Sequence, residues 1–269
     1  NWYTTNNCYS KAGSRVRMCP CSGELVVPPA ASPSPPPPSA SPSPPPPLPP
    51  PPSALPAPPP PLCDGAPPPE GSAVPAQHFD LTPWKLQTDL PKCDGGSSVR
   101  EIKWPELVSY SSSDFFADAA NGSLTFVVDV DGATTGGTSY PRTELRELFE
   151  WSLIEGHHAL AATLAVERLM NGTKESVVVA QVKDSAGNPP LLKVRAKVHG
   201  STRPKFRLEA RVKYHQESDG AVKELGLAFD HLFELGDPIE LLVVVKQLTV
   251  EVTAAAVGGV AQTVSHDYS

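Results

Sequence analysis

No stretch of this 269-residue chain approaches the ~20 uncharged apolar residues that a membrane-spanning helix needs. The strongest run, residues 241–245, is far too short. Long helical periodicity is nearly absent as well. Glycine does not recur at every third position in the proline-rich part, which excludes a collagen-like triple helix. Cysteine is scarce, at five residues. Cys19-Pro-Cys21 has the wrong spacing for a zinc knuckle and no second pair follows it. Positive charge is also short. The formal net charge is −7, a poor balance for a general nucleic-acid binder.

Proline is abundant instead, and unevenly placed. Of 34 prolines, 24 fall between Pro28 and Pro69. Three pieces follow from this. Residues 1–27 hold Cys8, Cys19 and Cys21 and read as the remnant of a cysteine-rich module with a partner cysteine expected upstream. Residues 28–77 read as a linker, because each proline fixes φ near −65° and removes a backbone donor. Such a run favours polyproline II, a semi-rigid spacer of roughly 3 Å per residue. It resembles the hydroxyproline-rich spacers of plant and green-algal wall proteins, which places the chain outside the cell. A polyproline ligand for a cytosolic recognition domain is the alternative. Residues 78–269 carry 19 Lys+Arg against 26 Asp+Glu, so the whole net charge sits there.

The periodicity of that last piece is two. Residues 192–199 read L-K-V-R-A-K-V-H, and residues 206–214 read F-R-L-E-A-R-V-K-Y. Residues 124–130 and 176–184 are β-branched runs, and residues 239–253 hold two more around Gln247. Glycine, proline, asparagine and aspartate separate them, as turns require. Residues 158–169 are alanine-rich and ambiguous. Many short strands over ~190 residues indicate an all-β fold, an antiparallel sandwich or jelly roll. Sequons at Asn121 and Asn171 fall at predicted turns.

The most specific stretch is Tyr140-Pro-Arg-Thr-Glu-Leu-Arg-Glu147. On a strand, Arg142, Glu144 and Arg146 share one face, and Thr143, Leu145 and Glu147 the other. Glu144 could hold two guanidiniums whose outer donors meet a carboxylate ligand. A solvent-exposed salt-bridge ladder fits the spacing equally well. Gln181 and Lys183 form a second polar pair, with Val178, Ala180 and Val182 expected to face the core. Basic rows at Lys193, Arg195 and Lys197, and at Lys205, Arg207, Arg211 and Lys213, suit either a polyanion groove or a solvated sheet face.

Phe79-Asp-Leu-Thr-Pro-Trp84-Lys-Leu with Leu90-Pro91, Asp131-Gly-Ala-Thr-Thr ahead of the arginine stretch, and Gln181-Val-Lys183 together resemble the alginate lyases of polysaccharide lyase family 7. The resemblance spans roughly residues 78–269. It implies a concanavalin-like β-jelly-roll with a cleft on one concave sheet. It implies a secreted lyase that cleaves alginate or another polyuronate by β-elimination, without metal or organic cofactor. The expected partner is an acidic polysaccharide, with no nucleic acid, no membrane and a monomeric chain. Arg142, Arg146, Gln181 and Lys183 take the catalytic positions, and Glu144, Lys193 and Arg195 are expected to contact substrate. Two departures stand out. Lys183 occupies the family's histidine position. The family's strand of the form Tyr-Phe-Lys-Ala-Gly-x-Tyr, which supplies an acidic tyrosine, does not occur before Ser269, so the domain reads as truncated. A non-catalytic binding module on the same fold is the alternative function.

Overall fold

The computed structural model describes residues 7–9, 14–19, 64–94, 98–129, 131–136, 140–149, 151–169, 176–183, 190–199, 205–215 and 222–268. The proline-rich run up to residue 63 and the sequon at Asn171 lie outside them. The chain divides into two compact units, one of Asn1–Cys21 with Pro61–Ser269 and one of Ser22–Pro60. All described residues belong to the first.

Apart from short 3-10 turns at Pro75–Gln77 and Glu106–Val108, the regular structure described is strand. In chain order the strands are β1 (Asn7–Tyr9), β2 (Ser14–Cys19), β3 (Ser72–Ala73), β4 (Trp84–Pro91), β5 (Val99–Ile102), β6 (Phe115–Asp118), β7 (Leu124–Val128) and β8 (Arg142–Glu147). Then come β9 (His157–Arg168), β10 (Ser176–Val182), β11 (Leu192–Val198), β12 (Lys205–His215), β13 (Val222–Glu234), β14 (Pro238–Lys246), β15 (Thr249–Ala256) and β16 (Gln262–Asp267). Every pairing among them is antiparallel. One layer is an eight-stranded sheet in the order β16-β15-β14-β9-β2-β7-β6-β3. The other consists of two four-stranded sheets, β1-β8-β4-β5 and β10-β11-β12-β13, which adjoin where β1 runs beside β10. This is the all-β jelly roll that the period-two pattern and the resemblance both anticipate.

The alanine-rich segment is a strand. Leu160, Ala162, Leu164 and Val166 in β9 are all buried at 5% exposure or less, a period of two rather than 3.6. Alanine's helix propensity loses here because β9 pairs along its length with β14 and also with β2, and tertiary pairing overrides propensity. The turn at Gln247 and Leu248 takes φ of 45° and 65°, the two-residue hairpin form that matches strand twist. It joins β14 to β15 in continuous register from Ile239↔Ala256 to Lys246↔Thr249. A single core fills the space between the layers. It includes Leu86, Phe115, Phe126, Leu164, Val194, Phe206, Phe229 and Val243.

Two pieces of chain that the sequence reading set outside the sandwich contribute to it. β1 and β2 come from residues 1–27: β1 pairs with β8, and β2 lies between β7 and β9. The Ser14–Cys19 strand alternates Arg15, Val16, Arg17 and Met18, the pattern of a one-face strand. β3 comes from the segment read as linker and pairs with β6. Cys93 is disulfide-bonded.

Candidate active site on the β8 and β10 face

β8 carries the arginine stretch, with Thr143 and Leu145 turned to the core and Arg142, Glu144 and Arg146 to the opposite face. That face is not a solvent-exposed ladder. Glu144 is 0% exposed and Arg142 7%, whereas the Arg146 side chain is 31% exposed. Glu144 Oε1 lies 3.6 Å from Arg142 Nη1 and 3.8 Å from Arg146 Nε. These are ion-pair distances, longer than a hydrogen bond. Burial pushes the Glu144 carboxyl above its usual range, and Arg142, Arg146 and Lys183 pull against that rise. The two arginines are therefore not equivalent. Arg142 is the buried anchor and Arg146 the one that solvent, and a ligand, can reach.

β4 lies on the far side of β8 from β1. Lys85 stands opposite Arg146 and Gln87 opposite Glu144. Lys85 Nζ donates to both oxygens of Glu101, at 2.9 and 3.0 Å, so its charge is matched. Gln87 is 1% exposed, and its buried Nε2 donates no hydrogen bond. Neither residue was singled out from the sequence. The i, i+2 spacing of Lys85 and Gln87 is a signal only once β4 is known to pair with β8.

β1 lies between β8 and β10, with Tyr9 opposite Arg142 and Asn7 opposite Glu144 in register. On β10 the sequence expectation of one polar and one apolar face is only partly met. A register shift between Val178 and Ala180 interrupts the alternation, and residues 177–182 are all buried. Gln181 is thus 6% exposed rather than part of a wet outer face. Lys183 sits one residue past the end of β10 and is half-buried. Its pKa is lowered, first by burial, then by Arg146, Arg142 and Lys85, with Glu144 opposing. A lysine of ordinary pKa stays protonated at neutral pH. This one is biased toward the neutral, proton-accepting amine by the two causes that can do so.

Lys193 pairs with Gln181 across β10 and β11. Its pKa is lowered by burial and then by Lys213, Arg195 and Arg142, against Glu224. Lys193 therefore stands within electrostatic range of the arginine cluster. Arg195 does not join it. Its Nη2 donates to Glu209 Oε2 at 2.7 Å, and Arg211 Nη1 donates to Glu209 Oε1 at 3.2 Å. Gly226 faces this network from β13. A Cβ there would lie 2.7 Å from Glu209 Oε1, so a side chain would displace the carboxylate. The Tyr268 hydroxyl donates to the Leu191 carbonyl oxygen at 3.4 Å. Its pKa is raised by burial.

The arrangement can hold a carboxylate against Arg146 and the Gln181 amide while presenting an amine of lowered basicity. That is the donor set for stabilising an enolate beside a proton acceptor.

The comparisons agree with this reading of the fold. The family described as alginate lyase matches residues 79–269. Among solved structures, a family 7 alginate lyase A1-II' variant in complex with product is 29% identical with a TM-score of 0.57, covering 73% of this chain and 81% of its own. The alginate lyase from Corynebacterium sp. is 26% identical with a TM-score of 0.54, covering 74% and 82%. The alginate lyase from Klebsiella pneumoniae is 17% identical with a TM-score of 0.60, covering 73% and 84%, and speaks for the fold alone. No curated protein matches. With its jelly roll and the match over residues 79–269, this chain belongs to the alginate lyase family of polysaccharide lyases.

Proposed function

We propose that this protein cleaves alginate, or a closely related polyuronate, by β-elimination. The observation that carries the reading is Lys183 with its lowered pKa beside the Arg142–Glu144–Arg146 cluster. Arg146 and Gln181 bind the C5 carboxylate and take up the charge that builds on it, with Arg142 fixed behind them by Glu144. Neutral Lys183 removes the C5 proton. The C–H electron pair forms the C4–C5 double bond as the C4–O4 bond breaks. The ammonium of Lys183 then returns its proton to the departing O4, leaving a 4,5-unsaturated sugar and the neutral amine. One group thus serves as both base and acid.

The disulfide at Cys93 supports an oxidising, extracellular setting, and the exposed Asn121 sequon is compatible with it. In that setting the chain works as a monomer. The occupant of the family's histidine position favours one competing reading, a binding module without chemistry.

The test is ultraviolet absorbance of the conjugated product on mannuronate-rich, guluronate-rich and glucuronate polymers. Time-dependent absorbance on any of them supports elimination. Retention on the same polymers in affinity electrophoresis with no absorbance change would establish the binding module instead.

A further inference from the structure

The charged face does not end at Gln181 and Lys193. Lys193, Arg195 and Lys197 alternate along β11 and so share one face. They pair across β12 with Arg211, Glu209 and Arg207 in uninterrupted register. Lys197 and Arg207 thus lie four strand positions beyond Lys193, about 14 Å along the sheet at ~3.4 Å per residue. A pocket of about 280 Å³ opens there, lined by Lys197, Val198, His199, Arg207, Glu209 and Ala228.

Its charges are unbalanced. Glu209 is the one carboxylate in the lining, and both its oxygens are taken up by Arg195 at 2.7 Å and Arg211 at 3.2 Å, outside the pocket wall. Arg207 Nε is buried and donates no hydrogen bond. Lys197 is exposed at the rim. Two cations therefore converge on a concavity whose only anion is already neutralised. A guanidinium and an ammonium around a small hollow recognise a carboxylate or similar oxyanion. Arg195 Nε is buried without an acceptor too, but its Nη2 is held by Glu209, whereas Arg207 makes no ion pair among the described residues.

We propose that Lys197, Arg207 and His199 form a second anion subsite, which binds the carboxylate of a sugar a few units away from the bond being cut. This deepens the polyuronate reading above and rests on it. Arg195 and Glu209 between the two sites are a neutral bridge, so the polymer is gripped at two points instead of being held along a continuous cationic strip. The consequence is a chain-length preference. Oligomers that reach both sites bind more tightly than those that reach only the Lys183 end.

The experiment measures kcat/KM, and binding by calorimetry, for a series of uronate oligomers from trimer to octamer. The wild type is compared with Lys197→Ala, Lys197→Arg and Arg207→Gln. Loss of one charge-assisted contact corresponds to about tenfold in affinity. Lys197→Ala and Arg207→Gln should raise KM about tenfold for the long oligomers and leave kcat and the trimer unchanged. Lys197→Arg should restore the long-chain preference. Lys197 is exposed, so Lys197→Ala tests the subsite even where Arg207→Gln unfolds. Equal effects on short and long oligomers, or none on either, would overturn the subsite. A wild type that makes no unsaturated product yet binds long oligomers in a Lys197-dependent manner would sink the lyase reading and leave the subsite standing. A wild type that binds no uronate oligomer would end both.

Discussion

Asp89 offers a sharp quantitative test, because its carboxyl is buried among groups that do not neutralise it. It is 3% exposed and sits at the end of β4 beneath the loop that leads into β8. The backbone N–H of Asp129 donates to its Oδ2 at 2.7 Å, and Thr143 Oγ1 lies 3.4 Å from its Oδ1. Gly132 is packed so closely that a Cβ there would lie 2.7 Å from the Asp89 Cβ. Burial is the first cause that raises its pKa, and Asp114 adds repulsion. Bonds from Asp129, its own backbone and Thr143 offset part of this, and the result is about 6 against an ordinary 3.8. At about 1.4 kcal/mol per pH unit, the ionised carboxylate costs the fold about 3 kcal/mol. The folded pKa is the higher one, so the contribution is fully present below pH ~3.8 and is lost as pH rises through ~6. Asp89→Asn keeps an acceptor for Asp129 and offers Thr143 a donor, but cannot ionise. Its stability relative to wild type should therefore improve by about 2.5 kcal/mol between pH 4 and pH 8. For a domain of this size that corresponds to a Tm difference of about 5–10 °C, opening with pH. Urea unfolding at pH 4, 6 and 8 with unchanged m values measures it. A difference that does not vary with pH, or a variant that becomes relatively weaker at pH 8, would refute the reasoning.

Other outcomes concern the site. Arg146→Ala should lower kcat by about 10²–10³, the loss for one donor to a developing oxyanion, with some loss of melting temperature because Arg146 also offsets the buried Glu144 carboxyl. Arg146→Lys should recover only part, since it lacks the planar fork; full activity in Arg146→Ala would remove it from the mechanism. Lys183→Arg retains the charge but cannot release its proton, so turnover should fall by about 10²–10⁴ while oligomer binding persists. The wild-type rate should rise with pH through a value below that of an ordinary lysine, and an undiminished Lys183→Arg would exclude lysine as the base. Gly226→Ala should push Glu209 away from Arg195 and Arg211 and weaken long-oligomer binding through KM, which steady-state rates across the oligomer series would show.

Much of this protein was legible in its residues. Strict alternation at residues 192–198 and 206–214 determined strands, because only a period of two puts Val194, Ala196, Leu208 and Ala210 on the buried side. The shared side of Arg142, Glu144 and Arg146 was legible as well, since it depends only on strand geometry. Other features depend on contacts distant in sequence. Residues 158–169 became a strand because β14 and β2 flank it, and no local propensity records a neighbour. Lys85 and Gln87 joined the site only through the pairing of β4 with β8. The inequality of Arg142 and Arg146 came from burial, and the lowered basicity of Lys183 from desolvation by packing and from cations on β8 and β4. Composition and spacing determine which groups a strand can present. Tertiary structure decides which of them lose water and which charges they then face, and those two quantities set the reactivity of a side chain.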